Sequence, residues 1–371
     1  MNQRRVLAFL VAGCLILSFS LIWAEKAEKA EKTEKKQDAE KAKGQLSLSE
    51  LTTKKTPPGR RVKPCVVFRK KANQLVVFGG WLETLTPKGD LWTLDLKTNE
   101  WSRLQPKNGD PKKVGLTIGL YDEKRDRLVV LFLKVTEGIE TQWYSFEKNE
   151  WHTVPPAGDF PKRFPITSPV YDPKSDAMVF FGGSAWENPD STRYRMIYYN
   201  DTYSLSLKDL KWKKLETKGE APSARDRHIQ IYDPKSGSLV IYGGMGTDKT
   251  GANEVLGDVH RLDLKTLEWK LIETKGDTVG PRCRHLAFYD PTEHSVFCFG
   301  GTALFEKYYL EVLQLDLETY TWTRPRTKAP VTLQLADAGA VWDSVSKRGL
   351  VFGGIQPGSM MMNSVWEIVE E

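Results

Sequence analysis

Residues 232–244 read YDPKSGSLVIYGG: an aromatic, a DPKS turn, an apolar run and a glycine pair. Five other thirteen-residue stretches keep that spacing: FRKKANQLVVFGG (68–80), YDEKRDRLVVLFL (121–133), YDPKSDAMVFFGG (171–183), YDPTEHSVFCFGG (289–301) and WDSVSKRGLVFGG (342–354). In all six the leading aromatic stands eleven positions ahead of the doublet or its substitute. A period of about fifty residues marks one supersecondary unit repeated in a solenoid, propeller or array, since a single unit cannot bury its apolar face alone.

Downstream of the doublet comes a loop of variable length and then an alternating segment: LWTLDL (91–96), TYSLSL (202–207), VHRLDL (259–264) and VLQLDL (312–317). Alternation at period two predicts a half-buried strand. A short polar turn follows, then Trp101, Trp151, Trp212, Trp269 or Trp322, each twenty residues ahead of the next leading aromatic. Each unit is therefore four strands: A ends at the leading aromatic, B ends at the glycine pair, C is the alternating segment and D carries the tryptophan. The A–B turn uses proline to preset φ and aspartate to bond nearby backbone N–H groups.

An apolar run, a glycine doublet and two spaced aromatics, seen six times, resemble the kelch repeat over residues 48–370. The resemblance implies an all-β, six-bladed kelch β-propeller with strand A innermost and strand D outermost in each blade. Phe132-Leu133 replaces the doublet in the second repeat, but the twenty-residue phase on either side is kept, so it counts as a degenerate blade. The sixth repeat runs out after strand C (SVWEIVEE). At the other end LSELTTKKTPPGRR (48–61) aligns with WKKLETKGEAPSAR (212–225), and Leu48 to Phe68 is again twenty. The N-terminal segment is thus expected to supply the missing outer strand beside 364–369, which protects an otherwise open edge.

Ahead of the propeller (45–371), residues 1–24 carry Arg4 and Arg5, an apolar run and Ala24, the pattern of a secretory signal. Retention as a membrane anchor and lipidation at Cys14 are the alternatives. Residues 25–44 form a charged low-complexity tether with Glu/Lys pairs at i, i+4. An exported protein, periplasmic, extracellular or membrane-anchored, is expected. Past the signal segment Cys65, Cys283 and Cys298 are an odd set with no CxxC, which indicates no disulfide framework. The formal charge of +6 is spread among interleaved acids and does not suggest a nucleic-acid partner.

Strand alternation puts the B–C and D–A connections on one face. That face holds the length variation, including SAWENPDSTRYRMIYYND (184–201), and variable loops on a rigid scaffold are where function concentrates. Just before strand A stand RDRH (225–228) and RCRH (282–285), with Arg61 and Lys63 at the two basic positions of the N-terminal copy. Arg227 and Arg284 match the position from which kelch domains that bind acidic peptides present arginine. The expected ligand site is Arg61, Lys63, Arg225, Arg227, Arg282 and Arg284, with Trp186, Tyr194 and Arg195 at its rim, because guanidinium forks bind carboxylates and aromatic faces stack on sugars or peptides. Pairing of the arginines with loop acids such as Asp226 is the competing structural explanation. His228 and His285 recur at one repeat position and read as structural. Glu254, Asp258 and His260 miss the spacing of a kelch iron site by two residues, so no metal and no cofactor is assigned.

Two functions follow. One is a non-catalytic, monomeric interaction module for a protein, an acidic peptide or an acidic carbohydrate. The other is a carbohydrate-active enzyme of the sialic acid mutarotase or galactose oxidase kind, for which the sequence offers no clear acid/base pair beyond Glu187 or Glu254.

Overall fold

The computed structural model describes residues 45–84, 86–111, 116–134, 138–161, 166–187, 195–303, 307–329, 331 and 333–370. The signal and tether segments expected at 1–44 lie outside them. Six antiparallel sheets follow the predicted phase. Blade one is Cys65–Arg69, Gln74–Phe78, Leu91–Asp95 and Glu100–Leu104; blade two is Thr117–Asp122, Arg127–Lys134, Gly138–Ser145 and Glu150–Val154. Blade three is Val170–Asp172, Ala177–Phe181, Thr202–Ser206 and Trp212–Leu215; blade four is Ile229–Asp233, Ser238–Thr247, Asn253–Asp263 and Glu268–Ile272. Blade five is Leu286–Asp290, Ser295–Phe299, Val312–Asp316 and Thr321–Thr323. Blade six is Gly339–Asp343, Arg348–Phe352 and Val365–Glu370, completed on its outer edge by Leu46–Glu50. Strand A of blade one packs against strand A of both blade two and blade six, so the ring is closed around an axis.

The blades adhere through the repeat aromatics. Trp101, Trp151, Trp212, Trp269 and Trp322 are all buried. Four of them meet the aromatic that precedes the doublet of the blade before: Phe352–Trp101 at 5.4 Å, Phe78–Trp151 at 4.7 Å, Phe181–Trp269 at 5.0 Å and Tyr242–Trp322 at 4.9 Å between ring centroids. Such tilted and edge-on pairs add about 0.5–1.5 kcal/mol each beyond the area they bury. In blade six, Leu48 takes the tryptophan's place in a cluster with Phe299.

A second seam was not evident from the repeat. After strand D the chain lies parallel against strand D of the following blade: Lys54 on Glu100, Gly158 on Trp212, Lys218–Gly219 on Glu268–Trp269, Lys275–Gly276 on Thr321–Trp322 and Thr327 on Leu46. The TKG at 217–219 and 274–276 is its sequence signal. Gly219 has φ +80° and a Cβ there would sit 2.4 Å from the Trp269 carbonyl oxygen, so only glycine allows the approach. At the end of strand B the constraint is similar: a Cβ on Gly300 would lie 2.2 Å from the Leu335 oxygen.

Blade two explains its own departure. Its strands B and C pair without interruption out to Lys134 and Gly138, so the chain never leaves the ladder at Phe132 and needs no glycine to do so. The closing strand is held on both sides, with Leu51 N–H donating to the Val365 oxygen at 2.8 Å and Leu46 N–H to the Arg326 oxygen at 2.9 Å. Leu46 and Val369 both lie at the face of the A–B and C–D turns, opposite the D–A connections. The predicted pairing of the N-terminal segment with the last strand is what the structure contains.

Candidate functional site

Four blades enter strand A through the same local geometry. The second residue of each quartet, Val62, Asp226, Cys283 or Ala336, bridges to the residue just past the glycine pair of its own blade, Trp81, Met245, Thr302 or Ile355. The third residue, Lys63, Arg227, Arg284 or Asp337, has φ of 51°, 53°, 60° or 54°. That left-handed turn is costly for a side-chain-bearing residue and is sustained here by the surroundings. The support is a chain of backbone hydrogen bonds from blade to blade: Lys63 N–H to the Asp337 oxygen (2.7 Å), Asp337 N–H to the Arg284 oxygen (3.1 Å) and Arg284 N–H to the Arg227 oxygen (3.0 Å). Lys63, Arg227, Arg284 and Asp337 thereby line the mouth of one axial cavity of about 130 Å³, whose apolar wall includes Ile118, Ile229 and Leu286.

The six basic residues expected at one site divide into two groups. Lys63, Arg227 and Arg284 come together at the mouth. Arg61, Arg225 and Arg282 do not: they are fully buried, each fastened to a carboxylate immediately ahead of the alternating segment of its blade (91–96, 259–264 or 312–317). Arg61 holds Asp90 at 2.8 and 3.0 Å, Arg225 holds Asp258 at 2.6 and 2.9 Å, and Arg282 holds Glu311 at 2.5 Å. Arg61 and Arg225 also donate to the Gly79 and Gly243 oxygens. These three pin the D–A connection to its own blade, and the left-handed turn at the next residue but one is what sends the second cation the other way. The backbone of Trp186 and Arg195 belongs to the hairpin Ser184–Glu187 with Arg195–Tyr198 in blade three; Tyr194 lies outside the described residues.

Electrostatically the mouth is less basic than its arginines suggest. Arg227 donates to Asp226 at 2.5 Å, and Arg284 grips Asp337 through Nε at 2.7 Å and through Nη2. The competing structural explanation therefore accounts for part of both arginines. Asp226 also accepts from the Ser184 hydroxyl at 2.7 Å, yet burial pushes its carboxyl above the usual range. Asp337 feels the same push, but Lys63, Arg284 and Arg227 outweigh it and hold the carboxyl down. Lys63 makes no ion pair with a described residue, and burial lowers its ammonium below the ordinary value. Asp337 was not legible because its quartet, LADA, has no arginine. Two tyrosines near these turns were missed as well: Tyr198 is buried with its hydroxyl donating to Asn253, and Tyr308 pairs with Thr302, which bridges to Cys283 beside Arg284.

His228 and His285 are buried wedges between blades, edge-on to Phe181 and Tyr242. Burial depresses both, His228 to about 3, so both are neutral. His260 lies 3.3 Å from Asp258, a carboxylate already committed to Arg225. Among the described residues no three His, Cys, Asp or Glu side chains gather as a metal site. Cys65, Cys283 and Cys298 are buried free thiols.

Residues 135–354 match the KLHDC2/KLHL20/DRC7 Kelch-repeats domain, and residues 39–200 match the Attractin/LZTR1 beta-propeller. The chain belongs to the kelch-repeat family. Host cell factor 2 of Homo sapiens is 36% identical over 129 residues, 33% of this chain and 15% of that protein. The Rab9 effector protein with kelch motifs of Bos taurus is 32% identical over 165 residues, 42% of this chain and 41% of that protein. This kelch chain thus matches less than half the length of either relative. Among solved structures, that of YjhT superposes with a TM-score of 0.57 at 12% identity, covering 83% of this chain and 95% of that one, a likeness of kelch fold alone.

Proposed function

We propose that this kelch propeller is a non-catalytic interaction module that receives an acidic segment of a partner protein at its axial mouth. The observation that carries this reading is the delivery of Lys63, Arg227 and Arg284 to one opening by a hydrogen-bonded run of left-handed residues. Two of the cations are prealigned by buried carboxylates and Lys63 remains to attract a further anion, which is the chemistry of carboxylate capture. A relative named as an effector of Rab9 supports a protein partner. The axial cavity, about 130 Å³, is small beside the roughly 300–1,000 Å³ of clefts that enclose drug-sized ligands, which favours a chain laid across the opening over an engulfed sugar. The mouth acids are each tied to an arginine and Glu254 is exposed on the blade-four hairpin, an arrangement that favours binding over carbohydrate catalysis. The arginine-led apolar run at 1–24 supports export or membrane tethering of the module.

The test is binding of a fluorescent triglutamate peptide by anisotropy. Lys63→Gln removes one of the cations that hold Asp337 ionised but leaves the Arg284–Asp337 pair in place, and is expected to weaken binding at least tenfold; the double change Arg284→Gln with Asp337→Asn should do the same. Unchanged affinity in both would refute the mouth as the site.

A further inference from the structure

Blade five carries a second opening, lined by other residues than the axial cavity. There an open groove of roughly 690 Å³ runs between the B–C connection at 307–312 and the segment after strand D at 324–327. Its walls are Tyr308, Tyr309, Leu310, Val312, Pro325 and Val331. That size is within the range of clefts that bury a ligand's apolar groups.

The groove is built, not merely left over. Tyr309 is fixed by its N–H to the Gly301 oxygen (3.1 Å), by its hydroxyl to the Pro281 oxygen (2.9 Å) and by the Arg282 guanidinium 4.2 Å from its ring centroid. On the facing wall Arg324 donates to the Thr278 oxygen at 2.8 Å and approaches Glu311, the same carboxylate that anchors Arg282. Both walls are thus tied to one ion pair whose arginine is fully buried, and a groove already shaped loses little entropy when filled. Leu310 is 42% exposed, among the few large apolar side chains so presented by the described residues. Lys307 is exposed beside it, and the Tyr308 backbone pairs with Thr302, which in turn bridges to Cys283, the chain neighbour of Arg284 at the mouth.

We propose that this groove, joined to the axial mouth through Tyr308, takes the apolar side chains of an extended acidic peptide from a partner protein whose carboxylates occupy the mouth. The proposal rests on the acidic-peptide reading of the mouth and adds a direction and a second specificity element to it. A compact acidic sugar would fill the mouth without reaching Leu310. A linear peptide reaches both, because side chains on an extended chain advance about 3.3 Å per residue and alternate in direction.

The test compares two labelled probes on the full chain: triglutamate, and triglutamate extended by a segment containing Leu and Phe. The extended probe should bind at least tenfold tighter. Leu310→Asp and Leu310→Ser, at an exposed position, should abolish that gain and leave triglutamate binding unchanged, whereas Lys63→Gln should weaken both probes. Retention of the gain in both Leu310 variants, or absence of any gain, overturns the groove while leaving the mouth intact. Failure of either probe to bind, or indifference of both to Lys63→Gln, overturns the mouth and the groove with it.

Discussion

Ser49 donates a hydrogen bond to Glu367 at 3.2 Å across 318 positions of sequence, in the sheet that joins the first described strand to the last. Without the N-terminal strand, blade six would expose the open ladder of Val365–Glu370 together with Leu48's partners in the core.

Deleting residues 45–52 is therefore expected to lower the melting temperature by several degrees and to convert a monodisperse peak to larger species in size-exclusion chromatography. Unchanged melting and elution would show that the ring closes by other means.

The two basic residues of each pair should respond oppositely to substitution. Arg225→Met leaves the Gly243 and Ser223 oxygens and Asp258 without their donor and should cost about 2–4 kcal/mol in urea unfolding. Lys63→Gln should cost less than about 1 kcal/mol and act on binding instead. Equal costs would mean that the division into pins and mouth residues is wrong.

Gly219→Ala and Gly276→Ala test the seam between blades. Each places a Cβ at 2.4 or 2.2 Å from the tryptophan oxygen of the next blade, on a backbone of φ +80° or +82°. A loss of about 1–3 kcal/mol per site is expected from overpacking and backbone strain, read as a shifted denaturant midpoint.

Stability should fall as pH drops below neutral because of the buried histidines. His228 and His285 have folded pKa values below the unfolded value of about 6.5, so the unfolded chain binds more protons in that interval. Their contribution is complete above pH 6.5 and is withdrawn as pH falls, at up to about 1.4 kcal/mol per pH unit for each, down to about 3 for His228. Urea midpoints between pH 6 and 5 should show this slope, and His285→Asn should reduce it by about one proton. An unchanged slope in that variant would exclude the histidine.

The blades were legible because the tryptophans and glycine doublets fall on a fixed phase that only one strand order satisfies. Closure was legible for the same reason, from Leu48 to Phe68. The division of the arginines was not, since φ above zero at Arg227 and Arg284 leaves no mark in residue type. A signal existed nonetheless: Asp90, Asp258 and Glu311 each stand directly before the alternating segment of their blade, and where blade six has Leu335 in place of the arginine it has Ser364 in place of the acid. Asp337 escaped because a mouth position defined by backbone geometry tolerates either sign of charge.

The placement of Leu46 and Val369 at the same end of one antiparallel pair has a mechanical consequence. A load applied between the two ends of the propeller would open the Leu46–Glu50 ladder one bond at a time and not shear it as a block. Blade six is then the fuse of the ring: tension would release it first, at a rate set by unfolding kinetics and not by equilibrium stability, while the mouth on the far face stays free of the line of force.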